Sequence, residues 1–391
     1  MNYYQRALEI KEEIIKHRRY IHENAETGLN LPKTTAYILD ILTEYGIEAK
    51  RLGHGILATI GQGEKSLLLR ADMDALPMKE DSGEPFACPT GTEGHCCGHD
   101  MHAAILLGTA KMLKEQEDAL KGTVYLMFQP AEETFEGARD MIAAGLLEET
   151  KPDASLALHV MPGHQTPGTF MYNNTGIMMS SVDGFRIHIQ GKGGHGAFPQ
   201  NAINPITIGA HIHIALSELI ANEADPAHSC VLSIGHFEAG KAPNIIPHTA
   251  FMEGTLRTKN EEARKKLVRR IHEVCEFTAK RYGGSVSIET LSDMSILKND
   301  PDFTTQMVDY MKELPIPNLN GIPGSSANAS DDYAMITNVI PSCYFNLAAG
   351  FEDERGDYGV HHPKVRFNED ALPIGASLLA HCTARWLKDT N

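Results

Sequence analysis

The sequence predicts an α/β fold of two domains, and three observations carry that prediction. Its 391 residues are more than one hydrophobic core organises comfortably, since single cores stop growing beyond roughly 250–300 residues. Short apolar runs alternate with helix-period segments through the first half, the pattern of a sheet wrapped by helices. In the middle, strands of alternating polarity and two helices follow in the order β-α-β-β-α-β, which is the ferredoxin-like pattern.

Taken in order, MNYYQRALEIKEEIIKHRRYIHENAE reads as one amphipathic helix, with Leu8, Ile10, Ile14 and Ile15 at helical spacing. GILATIG (55–61) and SLLLRAD (66–72) read as strands, AAILLGTAKMLKEQ (103–116) as a helix, and TVYLMFQP (123–130) as a buried strand. A helix around GARDMIAAGLL and the strand ASLALHV (154–160) follow. SSVDGFRIHIQGKG then alternates apolar and polar residues (Val182, Phe185, Ile187, Ile189), the mark of a half-buried strand. The helix INPITIGAHIHIALSELI, the strands CVLSIGHFEAG and HTAFMEGTLRT, the charged helix EEARKKLVRRIHEVCEFTAKRY and the strand SVSIETL complete the second pattern. After about residue 295 a helix (DFTTQMVDYMKEL), a strand (PSCYFNL) and a helix (ALPIGASLLAHCTARWL) read as the first domain resuming. The expected division is therefore a discontinuous domain, 1–181 and 296–391, interrupted by 182–295.

With 42% apolar and 22% charged residues the composition is that of a globular chain, and its net charge of −16 disfavours nucleic acid or an anionic membrane as partner. The N-terminus shows no secretory pattern, and no stretch approaches the roughly 18 apolar residues of a membrane span. Seven cysteines, odd in number and unpatterned, point to a reducing compartment without a disulfide framework. The expected location is cytoplasmic.

Chemistry concentrates in HCCGHDMH (95–102). Cys97 and His99, separated by glycine, can bind a metal ion from one tight loop before a helix. Three further groups sit at or just beyond strand ends: Asp72 and Asp74 in RADMDALP, Glu132 and Glu133 in FQPAEE, and His159 in ASLALHV. In open α/β sheets the functional crevice lies beyond the carboxyl ends of the strands, so these groups can converge. In the glutamate pair one carboxylate can ligate a cation while the other takes a proton from water. His361 and His362 in GVHHPKV are equally able to be a solvated loop pair. A thiol enzyme with Cys97 as nucleophile and His99 as base is a competing reading, but it leaves Glu132, Glu133, His159 and His361 without tasks.

The runs RADMDALPMKE, HCCGHDMHAAILLGTAKML, GTVYLMFQPAEE, GARDMIAAG, GKGGHGAFP, APNIIP, GTLRT and VHHP occur in that order over nearly the whole chain. In them the sequence resembles the aminoacylase/carboxypeptidase metallopeptidase family of clan MH. Within that family it is similar to the amidohydrolase subfamily of hippurate hydrolases, N-acyl-amino-acid deacylases and auxin-conjugate hydrolases. The resemblance implies a mixed-sheet α/β di-metal hydrolase domain with an inserted ferredoxin-like α+β domain that serves as lid and dimerisation surface. It implies a site for two divalent ions (Zn or Mn, with Ni or Co as alternatives), with Cys97 bridging and His99, Glu133, His159 and His361 completing the ligands. The family's histidine, one residue, then proline lands on His361 and leaves His362 as a neighbour. By the same matching Glu132 is the general base and Asp74 supports a ligand. His195 stabilises the oxyanion, in its own site or a partner's, and Asn244 and Arg257 hold the substrate carboxylate.

The implied reaction is hydrolysis of an N-acyl amino acid to an amino acid and a carboxylic acid, with dipeptidase or metallocarboxypeptidase action as the alternative. The implied assembly is a homodimer through the inserted domain. Two departures stand out. The later motif reads SDDY (Ser330 to Tyr333), where the family usually carries glutamate at position 331, so Asp331 is one methylene shorter. Cys96 places a second thiol beside Cys97, where small residues are common.

Overall fold

The runs Ser66–Asp72, Thr123–Gln129, Ala154–Met161 and Ser342–Ala348 are strands buried almost throughout. Near-continuous apolar runs of this kind suit parallel strands covered on both faces. In the computed structural model, which describes residues 1–389, Ser66–Asp72 pairs in parallel with both Thr123–Gln129 and Ala154–Met161. Ala154–Met161 pairs in parallel with Ser342–Ala348. Antiparallel neighbours flank this centre. Gly55–Ile60 pairs with Thr123–Gln129 on one side, and Thr169–Met171 with Ser342–Ala348 on the other. Glu48–Leu52 and Asn320–Ile322 close the edges of the eight-stranded mixed sheet.

The two faces of the sheet differ in chemistry because side chains alternate along a strand. Leu67, Leu69, Leu156, Leu158, Phe345 and Leu347 join one large apolar core with the helices His99–Lys114 and Ala371–Lys388. The intervening residues, among them Arg70, Asp72, Ser155, His159, Tyr344 and Asn346, are also buried, and they form a polar face.

A second unit has its own core. Val182–Gln190, Cys230–Ala239, Thr249–Thr258 and Ser285–Met294 form a wholly antiparallel sheet. Cys230–Ala239 lies at one edge and Ser285–Met294 at the other. Helices Pro205–Glu223 and Glu261–Arg281 pack on it through Ile208, Ile212, Leu216, Leu267 and Ile271, against Phe185, Ile187 and Ile189. Both helices are capped by asparagine: Asn204 accepts from the Ile206 N–H at 3.0 Å and Asn260 from the Ala263 N–H at 2.8 Å. The strand order makes this the ferredoxin-like arrangement. The chain divides into Met1–Met178, Lys298–Ser326 and Asp331–Asn391 as one unit, and Met179–Leu297 with Ala327–Ser330 as the other. Among the described residues no helix is long and apolar enough to cross a membrane.

Several local elements differ from the sequence expectation. The N-terminal helix is two, Tyr3–Glu9 and Lys11–Glu23, separated at Ile10. The break lets Tyr3 and Ala7 bury alongside Ile14 and Ile21 in the same core. The segment after Gly137 is also two helices, Gly137–Ala143 and Leu146–Thr150, because Gly145 adopts a left-handed φ of 102°. Helix Pro32–Glu44 and the exposed edge strand Glu48–Leu52 were not foreseen.

Candidate metal centre

Cys97 ends a loop and His99 opens a helix, and only Gly98 separates them. Gly98 has φ of 93°, and a Cβ there would come within 2.6 Å of Val160 Cγ2. Glycine is therefore required twice over, for its backbone and for its lack of bulk. Glu132 and Glu133 follow the strand Thr123–Gln129 through Pro130 and Ala131, the latter at φ of 50°. His361 also holds a positive φ, 63°, and its N–H donates to the Cys96 carbonyl at 2.9 Å. That bond ties a distant loop to the Cys97 segment.

The structure brings these side chains together in overlapping groups, two of which share Cys97, while a third joins His99, Glu132 and Glu133. Ligand atoms of Cys97, His99 and His159 lie within 4.8 Å of one another, and so do those of Cys97, Glu133 and His361. Cys97 Sγ is 3.4 Å from His159 Nε2, and His361 Nε2 is 3.3 Å from Glu133 Oε1. Glu132 stands beside them, its Oε2 4.0 Å from His99 Nε2.

The imidazoles of His99 and His159 are each turned by a hydrogen bond on the other nitrogen. His99 Nδ1 donates to the Asp74 carbonyl at 3.0 Å and faces its carboxylate at 3.3 Å, while the other Asp74 oxygen accepts the Glu133 N–H at 3.2 Å. His159 Nδ1 donates to the Val160 carbonyl at 2.7 Å, so its Nε2 lone pair faces Cys97. His102, which the sequence reading did not single out, stands behind it. Its Nδ1 donates to Asp72 and its Nε2 accepts the Val160 N–H at 2.8 Å. Both nitrogens of His102 are thus engaged. Its spacing on the helix of His99 was the available signal, since residues three apart share a helix face.

Arg70 anchors the polar face. Fully buried, it contacts Asp72 at 2.7 Å, Asp331 at 3.0 Å and Asp332 at 3.3 Å. Asp331, the shortened residue of SDDY, also accepts the Tyr344 hydroxyl at 3.0 Å. Asp332 accepts from Gln129 at 2.6 Å and from the Ala138 N–H at 2.9 Å.

The electrostatics follow from burial and crowding. Burial pushes the Cys97 thiol up to about 12. Burial would lower the His99 imidazolium, but Asp72 and Cys97 outweigh it and hold it well above the ordinary histidine range. Burial raises Glu132 well above the usual carboxylate range, and Asp331, Asp332 and Glu133 add to the effect against His99. Burial would also raise Glu133, yet His361 and His99 bring it below its ordinary value. His99 Nε2 is buried with no hydrogen-bond partner, and Glu133 Oε1 has only the His361 ring facing it. A thiol, three imidazoles and a carboxylate with free lone pairs aimed at one place form a donor set that fits two divalent cations.

The second unit holds the other predicted residues. His195 is exposed and pairs in register with Ile245, and the N–H of Gly196 donates to the Asn244 carbonyl at 2.9 Å, so His195 and Asn244 are backbone neighbours. Arg257, on the strand Thr249–Thr258, donates to the Asn328 carbonyl at 3.1 Å and the Ser330 hydroxyl at 3.3 Å.

A mixed α/β sheet carrying such a donor set, with a ferredoxin-like unit inserted in its chain, defines a two-domain metal-dependent hydrolase. The chain belongs to peptidase family M20/M25/M40, whose sequence profile matches residues 68–385. It is 34% identical over 386 residues to N-acetyl-L-cysteine deacetylase of Bacillus subtilis (strain 168), covering 98% of this chain and 90% of that one. It is 32% identical over 392 residues to hippurate hydrolase of Campylobacter jejuni, covering 99% and 100%. A solved Bacillus subtilis structure, described as a dinuclear metal-binding peptidase of the M20 family, matches with a TM-score of 0.82 and 30% identity over 98% of this chain and 99% of that one.

Proposed function

We propose that this chain is a metal-dependent amidohydrolase that cleaves N-acyl amino acids, with N-acetyl and N-benzoyl compounds as the first candidates. The observation that carries the reading is Cys97, shared by two ligand groups, with the carboxylate of Glu132 beside them, within reach of His99 and Glu133; its separation from Glu133 as the base rests on the motif. The ligands assigned are Cys97, His99 and His159 for one ion, and Cys97, Glu133 and His361 for the other. Two divalent cations held there would polarise an amide carbonyl and a water molecule, and their charge would favour the carboxylate form of Glu132.

Glu132 takes a proton from the water as its oxygen adds to the carbonyl carbon. It then gives that proton to the amide nitrogen as the C–N bond breaks, so a free amino acid and a carboxylic acid leave. The return of the proton matters because an amide nitrogen departs poorly unless protonated. Asp74 fixes His99 and Glu133 and takes no part in the proton transfer. By motif, His195 is assigned to the developing oxyanion, and Asn244 and Arg257 to the substrate carboxylate, which an arginine can hold with two hydrogen bonds.

Zinc or manganese is the proposed metal, with nickel or cobalt as substitutes; the thiolate and imidazoles favour zinc, nickel and cobalt over magnesium or calcium, and manganese is carried by the family resemblance. Seven free cysteines support a reducing, cytoplasmic setting. The second unit is proposed as lid and homodimer surface. Exposed Ile206 and Ile214 on its helix and Val231 and Phe237 on its edge strand favour a second copy there. Turnover of N-acetyl and N-benzoyl amino acids against dipeptides, with Zn or Mn added, tests the reading. Hydrolysis of the acyl compounds supports it, and hydrolysis of dipeptides alone would replace it with dipeptidase action.

A further inference from the structure

Asn346 is a buried polar side chain for which the hydrolytic reading has no task. It is only 5% exposed, and its Oδ1 is buried with no hydrogen-bond partner. Such an orphaned acceptor is costly to bury, and in a native structure it calls for an explanation such as a ligand or an ordered water.

Its place in the sheet narrows the explanation. Phe345 and Leu347 on either side belong to the apolar core, so alternation sends Asn346 to the opposite, polar face. Register pairs Asn346 with His159 on one neighbouring strand and with Met171 on the other. Residues in register share a face on strands roughly 4.8 Å apart. Asn346 therefore stands between a proposed metal ligand and a half-buried apolar side chain. Tyr344, two residues earlier on the same face, donates its hydroxyl to Asp331. Asn346 lies nearer the carboxyl end of that strand, the end at which open α/β sheets hold their ligands.

Resting on the amidohydrolase reading, we infer that Asn346 is a specificity-determining residue whose Oδ1 accepts a hydrogen bond from a donor on the acyl half of the substrate. The acyl half is the better match, because the side chain in register beside Asn346, Met171, is apolar. Met171 beside Asn346 suits the hydrocarbon part of an acyl chain. The preferred acyl group then combines a short apolar stem with a hydroxyl or amide N–H, and a plain hydrocarbon acyl group leaves Oδ1 unpaired.

The experiment compares N-glycolyl and N-acetyl derivatives of one amino acid, which differ by a single hydroxyl, in the metal-loaded wild type and in Asn346→Leu. The wild type should favour the glycolyl compound by about tenfold or more in kcat/KM, and Asn346→Leu should bring the ratio close to one. Thermal unfolding confirms that the variant folds, and Asn346→Ala supplies the same ratio if Asn346→Leu does not. A ratio that is the same in wild type and variant, as an ordered water on Oδ1 would give, overturns the inference and leaves the amidohydrolase reading intact. Failure of the wild type on every N-acyl amino acid overturns that reading and this inference with it.

Discussion

Asp74 holds His99 by its Nδ1, which lies 3.0 Å from the Asp74 carbonyl and 3.3 Å from its carboxylate. The second carboxylate oxygen takes the Glu133 N–H, so one residue orients a candidate ligand from each group. Replacing Asp74 with Ala should weaken metal binding by about 10–100-fold, the usual cost of losing a partner behind a ligand. Chelator competition measures this. Asp74→Asn keeps an oxygen and the backbone carbonyl and should lose less. Equal affinity in wild type and Asp74→Ala would show that His99 needs no such support.

His102 acts at one remove, through the backbone that carries His159. Asn in its place can still donate to Asp72 but offers nothing to the Val160 N–H, which the native Nε2 accepts at 2.8 Å. Leaving that buried donor unpaired should cost about 1–3 kcal/mol of stability. The site of Cys97, His99 and His159 should also bind its ion more weakly. Denaturant unfolding and metal titration read the two effects separately. Lowered stability with unchanged metal affinity would confine His102 to a packing role.

Removal of metal separates this account from a thiol mechanism. Dialysis against a chelator should abolish turnover and lower the unfolding temperature, because an ion bound at about 1,000 times its Kd contributes about 4 kcal/mol. Zn or Mn should restore both. Activity that survives chelation and disappears on alkylation would favour Cys97 as a nucleophile.

Acid should destabilise the fold partly through His17. Burial brings this imidazole down to about 4, and its nitrogens sit 2.8 Å from the Tyr37 and Tyr45 hydroxyls. Because the unfolded chain takes up the proton first, stability falls as pH drops from about 6.5, and the loss is complete below about 4. At pH 5 it amounts to about 2 kcal/mol. His17→Gln cannot titrate, so its stability should fall less steeply over that window. Parallel curves for the two proteins would remove His17 from the acid response.

Legibility in the sequence followed the range of the physical signal. The buried parallel strands and the helices of the second unit declare themselves locally, through unbroken apolar runs and helix-period segments. Glu48–Leu52 does not, because EAKRL is an exposed edge with little apolar content. Cys97, His99 and Glu133 could be nominated from loop chemistry and strand ends. His361 could not, since it sits in a left-handed turn outside any regular element, and only family resemblance separated it from His362. The partners of Arg70 were likewise hidden, because Asp331 and Asp332 reach it from far along the chain. Asn346 reads as a polar residue in a largely apolar strand, and its place beside His159 emerges only from the register.

In the proposed reaction Glu132 moves the proton while its neighbour Glu133 holds an ion. Glu132→Gln removes the base and keeps the shape, so metal content and substrate KM can be compared directly with the wild type. Two ions should still bind, and kcat should fall by about 10²–10⁴-fold. A Glu132→Gln enzyme that binds its metals and hydrolyses N-acyl amino acids at the wild-type rate would contradict that role.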